Sequence, residues 1–319
     1  MTQRTAASIW STALLLALAA TAPAQKASSN VTTLHTSARL IPIAAVVKDK
    51  NGLPKDDLTR DDFILKQDSK EESIRYFSVA EQLPISFAVL VDVSASQSTM
   101  VADEVKASDI FFETMLQRPQ DRAMLVQFDT TIQQLKGLTN QYSLLHLALS
   151  FVKSGAEAKN GTRVMDAVAG VTEKVLAKEN GRKAIILITD GGDTDSRVSL
   201  KSTIEEAQKT NVAVYSICYR ASDSGLTGAP SQVINAMADR SNDILRKLAS
   251  ETGGETFRVT RQMTLQKILA QIADGLNKQY EIGYIPPPDT TTNRFHKLEL
   301  KVKDPHLKVQ ARTEFFAAP

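Results

Sequence analysis

Cysteine is almost missing from this chain of 319 residues. Cys218 stands alone, so no internal disulfide can form and no thiolate cluster can hold a structural zinc, although a bridge to another molecule stays open. Its place in the apolar run NVAVYSICYR marks it as a small core residue rather than a nucleophile. Histidine is thin as well. His35, His146, His296 and His306 are scattered, and His146 has no carboxylate or second histidine at ligand spacing, so no histidine-based metal centre is indicated. Charge of one sign is also lacking: Lys+Arg 38 against Asp+Glu 36 gives a net charge of +2, with no basic run to track phosphates. Nucleotide loops of the G-x-x-x-x-G-K-[ST] or G-x-G-x-x-G type, the G-x-S-x-G elbow and H-E-x-x-H are absent, which removes the key groups of nucleotide-binding, hydrolase and metalloprotease readings. Asp190, Asp193 and Asp195 lack the spacing and the closing glutamate of a calcium loop. What remains, 42% hydrophobic and 23% charged, is an ordinary globular composition for one large domain or two modest ones.

The amino terminus carries Arg4, an apolar run from Ile9 to Ala20 and the small-residue pattern Ala22-Pro23-Ala24. This is the form of a secretory signal, and the run falls short of the roughly 20 apolar residues needed to span a bilayer. We expect residues 1–24 to be removed on export, taking Trp10 with them, and 25–38 to form a flexible leader. The expected location is secreted or periplasmic, with no transmembrane anchor after cleavage.

Residues 39–82 alternate apolar and polar positions between turn signals such as Lys50-Asn51-Gly52, which predicts a small β segment. From Ile85 the pattern changes. ISFAVLVDVS, KAIILITDGG and NVAVYSICYR are nearly continuous apolar runs, as in strands buried on both faces of a parallel sheet. Helix-period segments separate them, one with Val105, Phe112, Met115 and Leu116 on a face and another with Val164, Val168, Val171 and Val175. RAMLVQFD and IQQLKGL, joined at Asp129-Thr130, read as a hairpin. A later helix is placed over DILRKLASET and a last one over TLQKILAQIADGLNKQ. The predicted fold is α/β, a doubly wound, mostly parallel sheet over 83–278. The strands YEIGYIP, HKLELKVKD and KVQARTEFF of 279–319 are too few to stand alone, so they are expected to complete the β segment of 39–82.

Ligands in such sheets bind at the carboxyl ends of the strands, where strand order reverses. Two buried strands end in oxygen-rich sequence: Asp92-Val93-Ser94-Ala95-Ser96 and Asp190-Gly191-Gly192-Asp193. Asn160-Gly161-Thr162 precedes the Val164 helix between them. Two carboxylates and three hydroxyls at one sheet edge make an all-oxygen set suited to a hard divalent ion such as Mg²⁺, with Mn²⁺ or Ca²⁺ as alternatives. Hydroxyls are weak ligands, so the ion would keep water and stay able to accept an outside carboxylate. The blander reading makes Ser96, Ser98 or Thr99 the cap of the next helix, Thr162 another cap and Asp190 a turn residue.

The pattern D-x-S-x-S, a distant Thr and a distant Asp resembles the von Willebrand factor type A domain with its metal-ion-dependent adhesion site. The resemblance implies that Asp92, Ser94 and Ser96 form the first loop of the site, Thr162 the second and Asp190 the third. It further implies direct ligation by Ser94 and Ser96, water-mediated roles for Asp92 and Asp190, and a Thr162 contact that depends on conformation. It covers Leu83 to Lys278, and the segment D-x-x-G-x-x-x-x-x-L-x-x-x-D-F from Asp49 to Phe63 looks like secreted bacterial proteins that carry a related domain.

The function this implies is non-enzymatic: a divalent-metal-dependent, adhesion-type module whose Mg²⁺ accepts an Asp or Glu carboxylate from a protein partner. The alternative is a structural or assembly subunit of the cell envelope in which the metal only stabilises the fold. Asp193, Ser222 and Asp223 are candidate partner contacts, the last two within a polar segment, Ala221 to Asn242, that reads as an insertion or as a solvated loop with a short helix. Neither nucleic acid nor nucleotide is expected as a ligand.

Overall fold

A computed structural model describes residues 40–79, 83–153, 161–220 and 232–317, with side chains from residue 240 in the last of these. The expected signal and leader, and Ser222 and Asp223, lie outside the described residues.

The chain begins with β1 (Ile41–Lys48), whose alternate residues Ile41, Ile43, Ala45 and Val47 are buried as period-2 patterning requires. β2 (Pro54–Lys55), β3 (Phe63–Gln67), β4 (Lys70–Glu72) and β5 (Ile74–Val79) follow. Asp49 shapes the first turn, its Oδ1 accepting the N–H groups of Asn51 (2.8 Å) and Leu53 (2.9 Å).

β6 (Ile85–Asp92) opens the α/β region and is buried at every position. Next come α1 (Val101–Met115), β7 (Arg122–Phe128), β8 (Ile132–Thr139), α2 (Tyr142–Leu149), α3 (Val164–Lys174), β9 (Arg182–Thr189), α4 (Leu200–Thr210) and β10 (Val212–Cys218). α5 (Gln232–Thr252), β11 (Thr256–Arg258) and α6 (Leu265–Asn277) complete it. The sheet order is β11-β10-β9-β6-β7-β8. All neighbours run parallel except β7 and β8, the expected antiparallel hairpin. One face of the sheet packs Phe87, Val89 and Ile186 against Phe111 and Phe112 of α1 and Ile268 and Ile272 of α6. The other packs Leu90 and Leu187 against Val164 and Val168 of α3, Ile204 of α4 and Leu248 of α5. Covering both faces is what makes the strand sequences continuously apolar. α5 starts at Gln232, well before Asp243, so the second half of the segment read as an insertion is helix.

The chain ends in β12 (Tyr280–Tyr284), β13 (Arg294–Val302), β14 (Lys308–Ala311) and β15 (Glu314–Ala317). These interleave with the first strands. β1 pairs antiparallel with β12 and β14, and β3 with β13. Two sheets result, β14-β1-β12-β5 with β2 on β1, and β15-β13-β3-β4. Ile43, Phe63, Leu65, Tyr280, Tyr284 and Phe315 form their shared core. KVQARTEFF, expected as one strand, divides between the sheets. The break falls at Arg312, whose buried guanidinium donates to the carbonyls of Gln208 (3.0 Å) at the end of α4 and of Pro42.

Candidate metal centre

β6 lies between β9 and β7, so successive connections leave it in opposite directions and the ends of β6 and β9 lie at the switch point of the sheet, the place where such sheets bind ligands. Asp92 ends β6 fully buried. Its Oδ1 accepts the N–H of Ser94 at 2.9 Å and its Oδ2 accepts the hydroxyl of Thr189 at 2.6 Å. The turn closed by the first bond folds Ser94 back, and its Oγ lies 3.2 Å from that of Ser96. Thr189 Oγ1 in turn accepts the N–H of Gly191 at 3.0 Å. One threonine hydroxyl thereby ties the first loop to the third.

In the third loop, Asp190 Oδ1 accepts the N–H of Gly192 (2.9 Å), and the Asp190 carbonyl accepts Nε (3.2 Å) and a terminal nitrogen (3.1 Å) of Arg220. Gly191 has φ of 82°, and a Cβ there would meet Ser241 Cβ at 2.9 Å, so the loop's close approach to α5 requires glycine. Thr162, nearly buried, is stitched to this loop through its backbone: its N–H donates to Thr194 Oγ1 (3.0 Å), and its carbonyl accepts the N–H groups of Thr194 (3.1 Å) and Asp195 (3.2 Å).

The capping alternative does not describe the hydroxyl residues. α1 is capped at Met100 and α3 at Arg163, neither with a side-chain bond from the cap. The start of α3 is served from the third loop, where Asp193 Oδ1 accepts the N–H of Val164 (3.1 Å) and the hydroxyl of Ser196 (2.6 Å). Asp190 does close a turn, and that leaves further lone pairs on its carboxylate.

A family model for the von Willebrand factor type A domain matches residues 88–271, more than half of the chain. The chain belongs to this family. Solved structures similar to it include BatB, a conserved hypothetical protein from Bacteroides thetaiotaomicron, at 16% identity over 59% of this chain and 97% of that one, with a TM-score of 0.43. The vWF domain of the type V pili tip protein Mfa5 from Porphyromonas gingivalis is 14% identical over 66% and 98%, with a TM-score of 0.47. Proximal thread matrix protein 1 from the mussel byssus, solved with a zinc-occupied MIDAS motif, is 17% identical over 62% and 46%, also with a TM-score of 0.47. No curated protein matches the sequence.

The donors of this von Willebrand factor type A domain fit a hard divalent cation. Among the described residues no three His, Cys, Asp or Glu side chains gather as a ligand set. The structure brings together the hydroxyls of Ser94 and Ser96 and the carboxylate of Asp92, with Asp190 near enough to act on Asp92 through its charge, while Thr162 joins the third loop through its backbone. Burial pushes the Asp92 carboxyl up to about 6 despite its bonds from Thr189 and Ser94, and the charge of Asp190 adds to the rise. A cation would relieve both. It would supply Lewis acidity and exchangeable positions for an incoming oxygen ligand.

Sequence reasoning gave no role to Thr189 or Glu104. Thr189 could have been noticed as a hydroxyl at the last position of an otherwise apolar strand, directly before Asp190. Glu104 interrupts the buried face of α1, which is Val101, Glu104, Ala107, Ser108, Phe111, Phe112 and Met115. Val105 and Leu116, assigned to that face from spacing, are only partly buried against it.

Proposed function

We propose that the protein is a divalent-cation-dependent protein-binding module, with Mg²⁺ held by Asp92, Ser94, Ser96, Thr162 and Asp190 and completed by an Asp or Glu carboxylate from the partner. The observation that carries this reading is the paired hydroxyls of Ser94 and Ser96 beside a buried Asp92 that Thr189 locks to the Asp190 loop. Such a set holds an ion without enclosing it, which suits capture of an outside carboxylate rather than turnover. In this reading residues 83–278 carry the site, 39–82 and 279–319 form a supporting β module, and residues 1–24 direct export to the periplasm or beyond. Among the described residues no helix is long and apolar enough to cross a membrane. Asp193, with Ser222 and Asp223 following β10 in sequence, would contact the partner.

The test is thermal unfolding in EDTA, Mg²⁺, Mn²⁺ and Ca²⁺ for the wild type, Asp92→Ala and the milder Ser94→Ala. The expected result is a midpoint that rises with Mg²⁺ or Mn²⁺ in the wild type alone. No response in the wild type, with calorimetry showing no binding, overturns the reading. A stabilised protein whose partner binding ignores the metal makes it an assembly subunit of the envelope instead.

A further inference from the structure

α1 turns Val101, Ala107, Phe111, Phe112 and Met115 inward, and Glu104 sits among them fully buried. Neither oxygen of its carboxyl has a hydrogen-bond partner. The charged groups that act on it are Asp92, Asp103 and Asp190, all acids, and burial together with them raises its pKa well above the ordinary glutamate range. Asp103 is committed elsewhere, accepting the Tyr219 hydroxyl at 2.7 Å. Gln97, the residue after Ser96, shows the same deficit on the same approach to the helix. Its amide donates to the Tyr219 carbonyl at 3.0 Å, while its Oε1 is buried without a partner. A carboxyl withdrawn from water and offered no donor is among the costliest arrangements a fold retains, and an apolar side chain would fill the same helix face without that cost. The donors it lacks are of the kind that water on a divalent cation provides, since the ion polarises that water and turns its hydrogens outward.

We propose that Glu104 is an outer acid of the metal centre, a positioning residue whose carboxylate accepts hydrogen bonds from water carried by the divalent cation behind Asp92 and Asp190. The proposal rests on the metal-binding reading above. Acids that orient a metal's ligands and waters from outside typically change affinity by about 10- to 100-fold when removed.

The probe is Mn²⁺, titrated by calorimetry and followed by its electron paramagnetic resonance signal, with unfolding midpoints in EDTA measured alongside. Glu104→Gln keeps the shape and removes the charge. It is expected to fold with an EDTA midpoint no lower than the wild type and to bind Mn²⁺ about tenfold more weakly, with Glu104→Asp recovering part of the loss. Wild-type Mn²⁺ affinity in Glu104→Gln, with only the EDTA midpoint changed, would make Glu104 a buried structural acid and overturn the proposal while leaving the metal centre standing. Absence of Mn²⁺ binding in the wild type itself removes the metal centre and this proposal together. Should Glu104→Gln not fold, Glu104→Leu restores an apolar helix face and the same Mn²⁺ comparison decides.

Discussion

Acids are buried at both ends of the central sheet, but with opposite company. Where the parallel strands begin, Glu281 of β12 is surrounded by Arg182, Arg312 and Lys183. Arg182, the first residue of β9, donates to the carbonyls of Leu83 and Leu276, and Arg312 to those of Gln208 and Pro42. This end seals the α/β region to the β module with charges of both signs supplied by the chain. Where the strands finish, the charged neighbours of Asp92 and Glu104 are further acids. Burial raises the pKa of the acids at both ends, but basic groups oppose the rise at the first. At the second the charges acting on Asp92 and Glu104 add to it, and in the proposed reading a cation from outside offsets them.

The largest expected effect breaks the balanced end. Arg312→Ala removes a buried guanidinium and leaves Glu281 with less compensation, which is expected to cost about 3–5 kcal/mol in urea unfolding. Mn²⁺ affinity should not change. A loss of stability under about 1 kcal/mol would mean that this guanidinium contributes no more than an exposed charge, and the contrast would fail.

Next is pH. Burial pushes Glu281 up to about 7 even though Arg182, Arg312 and Lys183 oppose the rise. The folded protein therefore holds a proton that the unfolded chain, with an ordinary glutamate near 4.5, has already released. The contribution is fully present below about pH 4.5 and is lost as pH rises to about 7, at up to about 1.4 kcal/mol per unit. Glu281→Gln should flatten this part of the stability profile, read as the difference from wild type by denaturant titration across that window.

Mg²⁺ sharpens the other side. At a hundredfold excess over its dissociation constant it should add about 2.7 kcal/mol to the wild type and nothing to Asp92→Ala. In Arg312→Ala the same increment should survive, because the two ends draw on separate charges. An increment that disappeared there would couple the ends and remove the distinction.

How much of this could be read beforehand follows from how local each signal is. The unbroken apolar run of β6, the D-x-S-x-S turn after it and the β7–β8 hairpin are each written within one stretch of chain, and so were legible. Thr189 was not, because its role is a bond to Asp92 across neighbouring strands that only the sheet order makes adjacent. Glu104 looks like a solvated helix charge until the face it occupies is known. The early start of α5 is hidden by the Ser, Asn and Asp that dilute its apolar spacing. The division of KVQARTEFF depends on where Arg312 finds its acceptors, and those lie in α4 and β1.

The smallest effect concerns Asp193, whose carboxylate serves the start of α3 through Val164 and is also held by Ser196. Burial raises its pKa, with the charge of Asp166 adding to it. Asp193→Ala leaves the first N–H groups of α3 without that acceptor and should cost about 1 kcal/mol. Thr162 lies directly before this helix, yet its own backbone bonds run to Thr194 and Asp195, so the loop that holds it stays tied and cation binding should change little. Partner binding separates the two roles open to Asp193. A loss confined to stability makes it a helix anchor, whereas lost partner affinity with fold and cation affinity retained places its second oxygen at the contact.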